Sequence, residues 1–298
     1  MSLLNQVTTG KIARSICILV YGPDGLGKTT LGSQAPASIF LGPELGTANM
    51  DVARFPSPKK WADVQAAVNV LITEPHNYKT LVIDSLDWLE PLLFKQICED
   101  YNVKSIELAA GGYGKGYVEA TTRWGLLKDQ LEQLRSARGM NIVLIAHSEV
   151  VSFLDPATQL SYQRYELKLQ KRASALWREY VDAVLFANYE TFARKEGNAV
   201  QAFSDGARVM HTERRPGWDA KNRFGLPLKL DLSWDALFDA IQNAQPESME
   251  AVKAKIEGLL TLVTDPELKE KVIDTFYKAG DDLPRLNAIA NRLALRVG

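Results

Sequence analysis

Five nearly unbroken apolar runs punctuate the first two thirds of the chain. They lie at residues 15–22 (SICILVYG), 37–42 (ASIFLG), 79–85 (KTLVIDS), 141–147 (NIVLIAH) and 181–188 (VDAVLFAN). Continuous rather than alternating apolar runs are the pattern of parallel strands covered on both faces. Between them, apolar residues recur at helical spacing at 59–72 (KKWADVQAAVNVLI), 86–101 (LDWLEPLLFKQICEDY) and 117–137 (YVEATTRWGLLKDQLEQLRSA). Strand and helix in alternation predict an α/β fold with a mainly parallel central sheet. From residue 189 to 232 the pattern breaks into short strands with turns, which predicts added antiparallel strands.

Residues 243–250 (NAQPESME) read as a linker between a core, 1–243, and a small helical C-terminal region, 244–298. In that tail Met249, Val252, Ile256, Leu259 and Val263 share one helical face. Asp265 and Pro266 are an N-cap followed by proline at the first helical position, Gly280 can end that helix, and Pro284 restarts a third, with Leu286, Ile289 and Leu293 on one face. About fifty residues bury little core alone. The tail is therefore expected to dock on the main domain, on a neighbouring copy, or on a partner such as a single-strand DNA-binding protein.

Composition narrows the class. The 298 residues are 46% hydrophobic and 24% charged, ordinary globular proportions. A net charge of −1 exerts no global pull toward nucleic acid or membrane, so such contacts must come from local patches. The two cysteines, Cys17 and Cys98, make neither a disulfide framework nor a metal-ligand spacing, which fits a reducing cytosol. The opening MSLLNQVTTGK has no basic run before an apolar core, and the longest apolar run, ICILVY, is too short to cross a bilayer. A cytoplasmic protein that avoids membranes is expected, in the host cytoplasm if a phage encodes it.

The first apolar run leads directly into GPDGLGKTT, residues Gly22, Pro23, Asp24, Gly25, Leu26, Gly27, Lys28, Thr29 and Thr30. Gly22, Gly27, Lys28 and Thr29 match G-x-x-x-x-G-K-[ST]. In that loop the glycines let backbone N–H groups wrap phosphates, the lysine neutralises the outer phosphates, and the threonine hydroxyl meets Mg²⁺. Asp84 emerges at the carboxyl end of TLVIDS, where open α/β sheets bind ligands. It can hold Mg²⁺ or its waters, or simply cap the following helix; beside a phosphate loop the metal role is the stronger of the two. Glu44, just past the second run, is placed to activate water, or is a solvated loop residue. His147 ends the fourth run, where it can hydrogen-bond a γ-phosphate or be a satisfied buried histidine. Together these make ATP and Mg²⁺ the expected ligands.

The order of these features resembles the RecA-like ATPase core. Where RecA carries Asp-x-Glu after its second strand, this chain has Gly42-Pro43-Glu44, and His147 takes the place of RecA's sensor glutamine, as in relatives of the DnaB and KaiC type. Late in the chain, Lys221-Asn222-Arg223-Phe224-Gly225 is identical to the signature pentapeptide of RadA/Sms and resembles the K-x-R element of DnaB-type ATPases. That resemblance implies that Lys221 and Arg223 project from one subunit onto the γ-phosphate bound by the next. RadA's zinc finger and protease-like domain have no room here. Residues 8–235 instead resemble the compact phage-type RecA-like ATPases of the Sak group, which implies single-strand annealing or recombination by a homo-oligomer, ring or filament. A DnaB-like ring helicase or translocase, a nucleotide-gated scaffold that never binds DNA, and a small-acceptor kinase are the competing readings.

RecA-like proteins hold DNA through loops after the third and fourth core strands. Here the first is AAGGYGKGY, in which Tyr113 and Tyr117 flank Lys115. It is either a stacking platform for single-stranded DNA or a ligand-free surface loop. The second is residues 161–178, where Arg164, Lys168, Lys171, Arg172 and Arg178 outnumber the single acid Glu166 and interleave with Tyr162, Tyr165 and Trp177. This is either a basic-aromatic nucleic-acid patch or an amphipathic helix with a solvated charged face.

Overall fold

A computed structural model describes residues 7, 14–43, 45–156, 158–196, 199–204, 206–243, 249–263 and 265–297. In chain order the elements are β1 (Cys17–Gly22), α1 (Lys28–Gln34), β2 (Ser38–Leu41), β3 (Ala53–Arg54), α2 (Trp61–Thr73), β4 (Thr80–Ile83), α3 (Leu86–Asp100), α4 (Lys115–Arg138), β5 (Asn141–Leu154), β6 (Ser161–Leu167), α5 (Lys171–Tyr180), β7 (Ala183–Tyr189), β8 (Phe192–Glu196), β9 (Ala199–Phe203), β10 (Arg208–His211), β11 (Lys221–Asn222), β12 (Lys229–Asp231), α6 (Trp234–Asn243), α7 (Met249–Leu262), α8 (Pro266–Ala279) and α9 (Leu283–Val297).

The α/β architecture is as the sequence predicts. Strands β7, β1, β5, β4, β2 and β3 lie side by side and parallel. β10 and β12 extend the sheet antiparallel beyond β7, and β11 pairs antiparallel with the lower part of β7. β8 and β9 form a separate hairpin. The alternation of side chains splits the apolar runs between two faces. Cys17, Leu19, Tyr21, Leu81 and Ile83 face α2, α3, α4 and α5 across a core that includes Trp61, Trp124 and Trp177. These three rings meet edge to face, with centroids 5.0 and 5.3 Å apart. Val82 lies one residue out of phase and faces the other side, against α1.

β5 departs from the sequence expectation. It does not stop at His147 but continues to Leu154 and folds back on β6 as a hairpin, Ser148 opposite Leu167 through Leu154 opposite Ser161. Thus the segment expected to be a loop is a β-ribbon built on a core strand.

The chain divides into two compact units, Met1–Phe238 and Asp239–Gly298. In the second, α7, α8 and α9 close around a core of their own, with Val252, Ile256, Leu260, Leu286, Ala290 and Leu293 buried. The expected linker falls mostly on residues 244–248, outside the described residues. No helix of the described residues is long and apolar enough to cross a membrane.

Candidate functional site

β1 ends at Gly22 because β7 leaves space for nothing larger: a Cβ there would sit 2.1 Å from the Ala187 carbonyl oxygen. The chain turns through Pro23, Asp24 and Gly25, anchors itself by burying Leu26, and passes Gly27 at φ +106°, a conformation that glycine adopts without strain. α1 then starts at Lys28, and Leu31 N–H donates to Gly27 O at 3.0 Å. In the first turn the N–H groups of Lys28, Thr29 and Thr30 have no acceptor within the helix and point out of its positive end. Lys28 is buried, and its ammonium donates to Gly22 O at 2.9 Å and Pro23 O at 2.7 Å. The cation is thereby curled inside the cradle formed by its own loop. All nine loop residues, Gly22 to Thr30, sit together at the carboxyl edge of the sheet.

Asp84 follows β4 directly and is buried, and its Oδ2 accepts from Thr29 Oγ1 at 2.8 Å. One hydroxyl and one carboxylate converge beside the loop. This oxygen pair fits Mg²⁺, which takes one or two protein oxygens and completes its octahedron with phosphates and water. Ser85, not Asp84, is the N-cap position of α3, and it makes no side-chain cap bond. β5 lies between β1 and β4, so its His147 is level with Gly22. Asp87, in the first turn of α3, accepts from His147 N–H at 3.0 Å and lies 2.8 Å from its Nδ1. Nε2 faces the loop, 3.4 Å from Asp24 Oδ1. Burial raises the Asp87 pKa, but the His147 hydrogen bonds outweigh it and hold the carboxyl below the usual range. The sequence reading overlooked Asp87, although its spacing from Asp84, three residues on in a helical first turn, placed it on this edge. Glu44 lies outside the described residues.

Lys221 and Arg223 lie elsewhere. Lys221 pairs with Val184 of β7, which in turn is level with Leu19 of β1. That is three residues, about 10 Å, below Gly22, and two strands, about 10 Å, to the side. Both cations do leave one face, and both point at the end of α5. The Lys221 ammonium donates to Arg178 O, Glu179 O and Val181 O at 3.0, 2.8 and 2.7 Å. Arg223 is exposed and reaches Glu179 O at 3.4 Å. Desolvation, then the neighbouring Arg223 charge, lowers the Lys221 pKa. Lys221 thus caps the negative end of a helix. With Arg178 and Arg214 the two cations line a cleft whose carboxylates are Glu179 and Asp219.

The expected DNA residues separate into two groups. Tyr113 is fully exposed in the turn before α4, and Lys115 beside it is exposed. Lys168, Lys171 and Arg172 are exposed near the base of the β5–β6 ribbon. Tyr117 is different: its ring packs edge to face on Phe94, centroids 5.7 Å apart, and its hydroxyl donates to Glu107 at 2.6 Å. It braces the loop, half-buried, with its hydroxyl and one side of its ring already engaged. Arg164 must also be removed from the surface patch. It is buried, its guanidinium lies over the Phe153 ring, and its Nη2 is 3.0 Å from Asp219 Oδ1, an ion pair by charge and distance. Arg178 and Arg214 converge on the same Asp219 carboxylate. A single acid 41 residues beyond Arg178 organises three arginines, and nothing local in residues 161–178 announces it.

Comparison with known proteins places this geometry. The pattern of the AAA_24 family, described as an AAA domain, matches residues 14–224, from the residues before β1 through β11 and past Arg223. This chain belongs to that AAA-domain family. Its members are P-loop ATPases, which implies nucleotide binding, usually with Mg²⁺. The chain is also similar to the SPbeta prophage-derived uncharacterized protein YorG of Bacillus subtilis (strain 168), 26% identical over 136 residues. That match covers 44% of this chain and 40% of the relative. The matched residues take in both the loop at the carboxyl edge of the sheet and the cleft around Lys221 and Arg223.

Proposed function

We propose that this AAA-domain ATPase is a phage recombination protein of the RecA-like Sak kind, which binds single-stranded DNA and hydrolyses ATP between copies of itself in the host cytoplasm. The observation that carries the reading is the position of the K-x-R element. Lys221 is about 14 Å from Gly22, combining the two offsets above, and both cations point away from the loop. They have no route to the nucleotide of their own chain, yet they sit in a cleft lined by four cations against two carboxylates. A neighbour's triphosphate is a fitting occupant.

In this reading the residues divide the work. The backbone of the loop and Lys28 bind the phosphates. Thr29 and Asp84 would hold Mg²⁺, which would supply positive charge against the phosphates. His147, oriented by Asp87, presents Nε2 to the loop once Asp24 yields. Glu44 is the proposed water-activating base. Arg223 reaches the neighbour's terminal phosphate, where a guanidinium fork adds ~10³ or more to the rate. Lys221 keeps β11 and the end of α5 in register for it. Tyr113, Lys115, Lys168, Lys171 and Arg172 are the DNA contacts, and the C-terminal unit, with Tyr277 and Leu295 exposed, is the docking element for a partner.

The test is ATP turnover with and without single-stranded DNA, alongside annealing of complementary strands and displacement of a paired strand. Stimulated turnover with annealing supports the reading. Unwinding without annealing would replace it with a ring helicase, and turnover indifferent to DNA, with no DNA retained, would replace it with a nucleotide-gated scaffold.

A further inference from the structure

One arginine with no role in the proposed hydrolysis stands beside the phosphate loop. Arg208 opens β10, and its Nη1 lies so close to the loop that a Cβ on Gly27 would be 3.1 Å from it. Leu232 Cδ2 is 3.9 Å from the same point. Arg208 pairs across the strands with Tyr189, the last residue of β7, and its guanidinium carbon is 5.9 Å from the centre of that ring. Arg208 is exposed, Tyr189 is 38% exposed, and Arg208 makes no ion pair among the described residues.

The direction of the triphosphate decides what this pair meets. Thr29 and Asp84 mark its metal-binding end, and Asp84 follows β4, two strands from β1 on one side. A Mg²⁺ held by these two oxygens would belong with the outer phosphates. The inner phosphate and the nucleoside therefore leave the loop on the other side. There, two strands from β1 in the opposite direction, lies β10 with Arg208. An aromatic face, a planar cation and an apolar wall are the groups that hold a nucleobase. A base stacked between ring and guanidinium needs a slot of about 7 Å, two contacts of about 3.5 Å each. The observed 5.9 Å is close to that before any adjustment.

We infer that Tyr189 and Arg208, with Leu232 as a side wall, form the nucleobase subsite of the ATP bound by the same chain. The inference rests on the ATPase assignment and is independent of any action between copies. The experiment is calorimetric titration of the full chain with ATP and with inorganic tripolyphosphate, for the parent, Tyr189→Ala, Tyr189→Trp and Arg208→Ala. Both alanine variants should bind ATP roughly tenfold more weakly, the tryptophan variant should stay within about twofold of the parent, and tripolyphosphate binding should not change in any of them. Unchanged ATP affinity in the alanine variants would overturn the subsite. So would an equal loss for ATP and tripolyphosphate, which would mean that the loop itself had been disturbed. A parent chain that binds neither ligand would instead sink the ATPase assignment, and the subsite with it.

Discussion

At the carboxyl edge of the sheet, Lys28 donates to two carbonyls of its own loop; at the amino edge, Lys221 donates to three carbonyls at the end of α5. The bonds look alike, but their settings differ. Lys28 is inside a backbone cradle whose other groups, the first-turn N–H donors, point at the same space, so a phosphate can take over from the carbonyls. Lys221 is at the negative end of a helix, where an ammonium is the right terminal partner and has nothing to gain by leaving. Two residues on, Arg223 has a single long contact and solvent around it. At the first edge a cation and a backbone cradle converge on one space. At the second a fixed lysine stands beside an available arginine.

That contrast predicts a graded set of outcomes. Arg223→Ala should cut ATP turnover by ~10³-fold or more and leave the melting temperature unchanged, because the side chain holds nothing else in place. Lys28→Ala should cost about 10²- to 10³-fold in turnover, read in the same assay with nucleotide affinity measured beside it. Asp219→Asn strips a largely buried carboxylate from three arginines, one of them buried, and should cost about 3 kcal/mol of stability. By thermal melting that is a fall of roughly 6–12 °C. Lys221→Ala should lower stability by about 1 kcal/mol through the lost helix cap and slow turnover as β11 loosens. If it proves as silent in melting as Arg223→Ala, the contrast between the two cations is wrong.

The smallest effect concerns acid. Asp87 has its folded pKa held below the unfolded value of about 3.9, so its contribution is complete above that value and is lost as pH falls through the folded pKa. Asp87→Asn should therefore lower stability slightly and evenly at neutral pH, and flatten the acid limb of a stability-against-pH curve below about pH 4, where the parent loses the same contribution.

How much of this was legible in the sequence follows the range of the interactions. The five apolar runs mark five of the six parallel strands to within two residues, β5 as far as His147 where its parallel pairing ends, because burial on both faces writes itself into contiguous residues; the two-residue edge strand β3 carries no such run. The tail helices were legible for the same reason: Asp265 does cap α8, accepting from Glu267 and Leu268 N–H. The loop and Asp84 were legible because their chemistry needs fixed residue types at a strand end. What escaped was pairing over distance. The second half of β5 is a strand only because β6 lies against it. Arg164 looks like a surface cation until Asp219 arrives from the far end of the domain, and Tyr117 looks like a free ring until Phe94 packs against it and Glu107 takes its hydroxyl. Arg208, with no motif around it, is brought to Gly27 by the order of the strands alone.

The central claim is that each ATP is shared, its cradle from one copy and its guanidinium from the next. The most direct measurement mixes two inactive variants, Arg223→Ala and Lys28→Ala, with their co-assembly verified. Turnover should reappear, because interfaces that join the intact loop of the first variant to the intact arginine of the second are whole. Co-assembled mixtures that stay as inactive as either variant alone would contradict the account.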